Sequence, residues 1–202
     1  MSRFDRRAID DPRQIRALSS AVRQEIVDTL AALGGKASVA DLAEQLGRPA
    51  DGLYYHLRVL TDSGLVRQSE TEGAERRYRL AGEGNDPLRL AYRKGAQSNL
   101  PAVTGFARAL LQVAGRDFEA ALELEGIAID GPRRELWTAR NKGWLSAQDL
   151  EEVNRLIERL NTLVSQPQAA GRDRLASFAF VLAPINPRPK RRGADPDSKR
   201  FE

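Results

Sequence analysis

One histidine, His56, stands in the run LYYHLRVLTDSGLV from Leu53 to Val66, beside Tyr54, Tyr55 and Arg58. Four kinds of chemistry start from such a set: proton transfer at the imidazole, metal ligation, a polar contact inside a core, or recognition of nucleic acid by tyrosine and arginine on one helix face. The rest of the chain narrows them. It has no cysteine, which removes disulfides, thiolate nucleophiles, iron–sulfur clusters and thiol-based metal sensing. A zinc site around a single histidine would need mostly carboxylates, a disfavoured donor set. No Walker loop, dinucleotide glycine pattern or nucleophile motif accompanies the ordinary Ser, Asp and Glu residues, so the chain reads as a non-enzyme without a cofactor.

The elements around His56 decide among the remaining readings. Asp11 and Pro12 start a short helix to about Leu18, aspartate accepting orphan N–H bonds and proline fitting the first helical position. Ser19 and Ser20 offer a cap for AVRQEIVDTLAAL, where Val22, Ile26, Val27, Leu30 and Leu33 recur at helical spacing until Gly34 and Gly35 stop them. Ser38 with Asp41 forms a capping box for SVADLAEQLG, and Gly47 ends that helix. RPADGLYYHLRVLTDSG follows almost at once, with Pro49 near its first turn and Gly64 as its stop. LVRQSETEGAERRYRL alternates around a Glu-rich, Gly-containing turn and predicts a β-hairpin. Helix, helix, tight turn, helix, hairpin is the order of a winged helix-turn-helix. Ala43 supplies the small residue at the helix crossing, Gly47 the left-handed turn, and Leu42, Leu46, Leu53 and Leu57 the contact between the pair.

Projected at about 100° per residue, Leu53, Leu57 and Leu60 face inward, while Asp51, Tyr55, Arg58 and Asp62 face outward. Tyr54 lies on the flank and His56 at the edge of the apolar face, where packing and hydrogen bonding suit it better than a base contact. In a major groove Tyr55 and Arg58 reach furthest, arginine making paired bonds to guanine and tyrosine touching phosphate or a thymine methyl. Arg48 and the helix N-terminus would hold phosphates. In the hairpin Val66, Tyr78 and Leu80 point to the core and Arg67, Arg77 and Arg79 to the other face. Arg76 comes near the tip, where it would enter the minor groove or pair with Glu70, Glu72 or Glu75. The candidate DNA-binding set is therefore Arg48, Asp51, Tyr54, Tyr55, Arg58, Arg76 and Arg77. The competing reading of these residues is the solvent side of an amphipathic helix.

The segment RQEIVDTLAALGGKASVADLAEQLGRPADGLYYHLRVLTDSGLVRQSETEGAERRYRL, with its H-L-x-x-L-x-x-x-G-L-V run and E-G-x-x-x-R-Y wing, resembles the DNA-binding domain of ArsR-like bacterial transcription regulators over about a third of the chain. The resemblance implies a homodimer that reads an inverted repeat in double-stranded DNA, usually as a repressor released by an effector. The metal-sensing branch of that family carries cysteines or histidine/carboxylate pairs in its helices; this chain lacks the thiols entirely, so metal release is not expected.

The fold class predicted is mainly α with small β-hairpins: a winged helix-turn-helix domain over 1–83, a helical dimerisation or ligand domain over 84–185, and a disordered basic tail over 186–202. GEGNDPLR marks the first boundary, with Asn85 or Asp86 capping a helix that runs from Asp86 to about Glu125 and breaks or kinks at Pro101. RRELWTARNKGWLS reads as a strand or extended segment. Ser146 and Asp149 open a helix with the apolar stripe Leu150, Val153, Leu156, Ile157, Leu160 and Val164, and RLASFAFVLAPI reads as a mostly buried strand. Dimer surfaces are expected on these two helices, either of which would serve equally as internal core. Trp137, Trp144, Phe178 and Phe180 would line a small-molecule effector pocket or form plain core.

The net charge is only +4 at a pI near 9.7. Six Lys/Arg against three Asp/Glu fall between Pro184 and Glu202, so most of the excess is in the tail, where it would clamp phosphates or stay solvated. The near-neutral N-terminal domain leaves room for a second reading, a winged-helix protein-interaction module without specific DNA binding. The longest apolar stretch, LASFAFVLAPI, is too short for a membrane span, and the N-terminus has no apolar run, so a cytoplasmic protein with no membrane partner is expected.

Overall fold

The computed structural model describes residues 8–69, 76–81 and 89–186. Its elements are β1 (Ala8–Ile9), α1 (Pro12–Ala17), α2 (Ala21–Ala32), β2 (Lys36–Ser38), α3 (Val39–Leu46), α4 (Ala50–Asp62), β3 (Val66–Ser69), β4 (Arg77–Leu80), β5 (Arg89–Leu90), a single 3-10 turn (Gly95–Gln97), α5 (Leu100–Leu122) and α6 (Ala147–Val164). Helices with small antiparallel strands make this an α+β winged-helix fold. β3 and β4 form the predicted hairpin, and β2 adds to the far side of β4 to give the sheet order β2-β4-β3. That third strand was not expected: GGKAS is too short to show an alternating pattern, and pairing with β4 is what makes it a strand.

Local chemistry sets the element ends. Asp11 caps α1, accepting from the Arg13 N–H at 2.8 Å. At α3 the Ser38 and Asp41 side chains each accept from the other's backbone N–H, at 3.1 and 2.8 Å, closing a full capping box. Hydrogen bonds from Ser38, aided by the Arg77 charge, hold the Asp41 carboxyl below the usual carboxylate range. The expected serine cap of α2 is corrected: Ser20 stands at the N-cap without a side-chain bond. Ser19 instead donates to the carbonyls of Ile15 and Ala102, at 3.2 and 3.4 Å, joining α1 to α5. α5 can come that close because residue 105 is glycine, where a Cβ would lie 2.8 Å from the Ser19 hydroxyl.

Gly47 closes α3 in the left-handed conformation, φ 59° and ψ 34°. Its N–H bonds to Glu44 and the Arg48 N–H to Ala43, at 3.2 and 3.0 Å, so the last carbonyls are satisfied while the chain reverses into α4. A Cβ at Gly47 would meet nothing within 4 Å, which leaves backbone strain as the whole cost of adding one. Gly47→Ala is expected to lower stability by about 1 kcal/mol in urea unfolding, with no change in the m-value.

The core is one cluster in the N-terminal half. Ile15, Leu18, Ile26, Leu30, Leu42, Leu53, Leu57, Leu60 and Val66 are sealed from solvent, with Tyr78 and Leu80 of the hairpin closing one side. α5 lies on the C-terminal side of the predicted boundary at 83/84, yet packs against α1 and α2. Gln24 of α2 ties it there, donating to the carbonyls of Leu18 and Phe106 at 2.7 and 3.0 Å.

Two expectations for the C-terminal half are corrected. The helix predicted to start at Asp86 starts at Leu100. Arg89–Leu90 pairs in parallel with Ala8–Ile9, and the chain then turns around buried Asn99, which donates to the carbonyls of Asp10 and Ala91 and accepts from the Arg93 N–H. Pro101 therefore sits in the first turn of α5, where its missing N–H costs nothing, and it breaks no helix. RLASFAFVLAPI is neither buried nor a strand: Leu175, Phe178, Phe180, Leu182 and Ile185 are exposed, because no strand of the described chain lies beside them. α6 begins at the predicted capping box of Ser146 and Asp149. Glu70, Glu72, Glu75, Asn85, Asp86 and the tail from 187 lie outside the described residues.

Candidate nucleic-acid interface

α4 owes its orientation to its buried face. Leu53, Leu57 and Leu60 enter the core, which leaves Asp51, Tyr54, Tyr55, Arg58 and Asp62 in solvent. Tyr54 is 45% and Tyr55 57% exposed, values that hydrophobic burial alone would not select for large aromatic rings. The Arg58 guanidinium lies 5.9 Å from the Tyr55 ring centroid. That contact pre-orders the two side chains, so less side-chain freedom is lost when both meet a ligand.

His56 is half-buried and stacks edge-on against Tyr55, with ring centroids 5.3 Å apart. Burial, then the nearby charges of Arg23 and Arg48, push its pKa below the ordinary histidine value. It is thus a neutral packing residue at neutral pH, and its protonation opposes folding: stability falls as pH drops below about 6.5.

Arg48, in the turn between α3 and α4, is half-buried and bonds to Glu25 of α2 at 3.2 Å. Glu25 also holds Arg116 of α5 at 3.2 Å. The predicted phosphate ligand is thus already engaged by a carboxylate, and that carboxylate is shared with the C-terminal half. The sequence could not show this, because residues 25, 48 and 116 belong to three separate elements.

The wing residues divide. Arg76 is exposed at the start of the returning strand, and the turn before it lies outside the described residues. Arg77 is part-buried at the start of β4, opposite Ser69 on one side and Ser38 on the other, where its charge acts on Asp41. The register adds a group that the candidate set omitted. Lys36, Arg79 and Arg67 stand directly opposite one another across β2, β4 and β3, all exposed. Like charges in paired positions destabilise a sheet on their own and favour an anionic partner. Alternation in the hairpin already put Arg67 and Arg79 on one face; Lys36 was missed because β2 was.

The described residues bring together no group of three or more His, Asp or Glu side chains able to hold a metal. Trp137 and Trp144, expected in a pocket or core, are instead exposed, Trp144 by 92%. No helix of the described residues is long and apolar enough to cross a membrane.

Residues 18–69 match a protein-family model described as a helix-turn-helix domain. The match runs from the end of α1 through β3 and so contains the whole α3–turn–α4 unit. It covers roughly a quarter of the chain and leaves the C-terminal half unmatched. No curated protein matches the chain. The chain carries a helix-turn-helix domain of the kind found in DNA-binding transcription regulators.

Proposed function

We propose that the protein is a dimeric, sequence-specific transcription regulator of the ArsR-like kind that acts in the cytoplasm, as a repressor, by occupying duplex DNA. α4 lies in the major groove, where Tyr55 and Arg58 meet base edges, and Arg58 is the residue suited to paired bonds with guanine. Arg76 and the Lys36–Arg79–Arg67 row meet phosphates. The observation that carries this reading is the outward face of α4. Its opposite side is locked into the core by three leucines, yet it presents two tyrosines and an arginine to solvent directly after a tight turn. A dimer is the economical form, since one reading helix limits affinity and a two-fold pair spans half-sites about 34 Å apart.

A gel-shift titration against the DNA upstream of its own gene tests the reading. Binding is expected to weaken steeply with salt. With roughly four phosphate contacts per protomer and two protomers, log K against log salt should fall with a slope of about −7. A complex that forms on protein rather than on DNA, and that ignores salt, would favour the interaction-module reading in its place.

A further inference from the structure

The C-terminal half leaves more apolar surface uncovered than a finished fold would. The stripe of α6 includes Leu150, Val153, Leu156, Ile157, Leu160 and Val164, and none of the helix's residues is buried. The segment 174–185 leaves Leu175, Phe178, Phe180, Val181, Leu182 and Ile185 exposed. Among the described residues no backbone hydrogen bond joins 136–145 or 173–186 to another segment. Two stretches of sheet-like composition therefore lack a strand partner among the described residues, although Ser177 bonds to Asp117 and Arg174 pairs with Glu135. The α6 stripe is half-covered at Val153, Ile157 and Leu160 and open at Leu150, Leu156 and Val164.

The area is large enough to decide what is missing. The chain exposes 16138 Å², against about 9,400 Å² for a compact monomer of its mass. Even if each of the thirty-six residues outside the described ones contributed roughly 160 Å², an excess of about 1,000 Å² would remain. A stable dimer needs about 800 Å² from each partner. The charges flanking the stripe are self-complementary: two copies of α6 running antiparallel about an axis between Arg155 and Leu156 set Glu152, which pairs with Arg155 of its own helix, also beside Arg159 of the other copy, twice.

We infer that α6 and the extended segments 136–145 and 174–185 form the surface that a second copy of this chain completes, the α6 stripes pairing antiparallel and the extended segments pairing into a sheet shared by both copies. This rests on the dimer of the proposed function and assigns its surface. The missing parts are a strand partner and an apolar helical face, and the same chain provides both.

Sedimentation of the full chain, with and without paired substitutions, tests it. The wild-type chain is expected to sediment as a dimer at micromolar concentration. Ile157→Asp with Leu160→Asp should raise the dimer dissociation constant at least a hundredfold while the N-terminal core still melts cooperatively, since α6 has no buried residue to lose. Glu152→Arg alone should weaken the dimer, and Glu152→Arg with Arg159→Glu should restore it. A wild-type monomer would overturn the inference together with the dimer. A wild-type dimer whose association survives Ile157→Asp with Leu160→Asp would overturn the assigned surface alone. Binding to a single half-site reports on α4 independently, so failure of the surface and failure of the DNA reading are separable.

Discussion

Replacing Tyr55 and Arg58 together by alanine is expected to weaken binding to the preferred duplex by more than a hundredfold, or about 3 kcal/mol, from the usual worth of direct base contacts. Binding to unrelated DNA should fall far less, because the proposed phosphate contacts of Arg76, Lys36, Arg79 and Arg67 remain. The substitution should leave thermal stability nearly unchanged. Both side chains lie in solvent, and the contact between them, at 5.9 Å from guanidinium to ring centroid, is an exposed one. Comparing affinities for specific and unrelated duplexes at one salt concentration, beside a melting curve, separates loss of recognition from loss of fold. An equal loss on both duplexes would move Tyr55 and Arg58 from base reading to simple phosphate attraction.

Leu57→Ala should act the other way. Leu57 is fully buried at the centre of the inward face of α4, within the cluster of Ile26, Leu30, Leu42, Leu53 and Leu60. Truncation there removes transfer free energy and leaves a cavity among neighbours from α2, α3 and α4 itself, at a cost of about 3 kcal/mol. Against a total of roughly 5–15 kcal/mol for a domain, that is a large fraction of the stability. Urea unfolding should show a lower midpoint with an unchanged slope. DNA affinity measured well below that midpoint should change little, since the outward residues are untouched. Leu57 holds α4 in place, whereas Tyr55 and Arg58 are the proposed contacts with DNA.

The contrast between the two halves shows what the sequence could disclose. Around α3 and α4 every local signal agrees: the Ser38–Asp41 box, the left-handed Gly47, and the leucines at 53, 57 and 60 all specify one arrangement, and the structure has it. Capping and periodicity act within a few residues, so they are visible in a linear chain. Lys36 escaped notice because a three-residue strand is made by its neighbour. The Glu25 bridge between Arg48 and Arg116 escaped because it joins residues distant in sequence. In the C-terminal half the same rules found the Ser146 cap and the stripe of α6 but misplaced the start of α5, where pairing of β5 with β1 overrides the helical pattern after Asp86. The nearly continuous apolar run in RLASFAFVLAPI shows that a segment favours burial as a strand. It does not show whether the neighbouring strand belongs to the same molecule.

Selection from a randomised duplex library, run in parallel on the full chain and on the Tyr55→Ala, Arg58→Ala variant, addresses recognition most directly. The wild-type chain is expected to enrich a short motif repeated in inverted orientation with half-sites one helical turn apart, and the variant to lose that motif while still retaining DNA. No enriched motif from the wild-type chain, or the same motif from both proteins, would contradict that expectation.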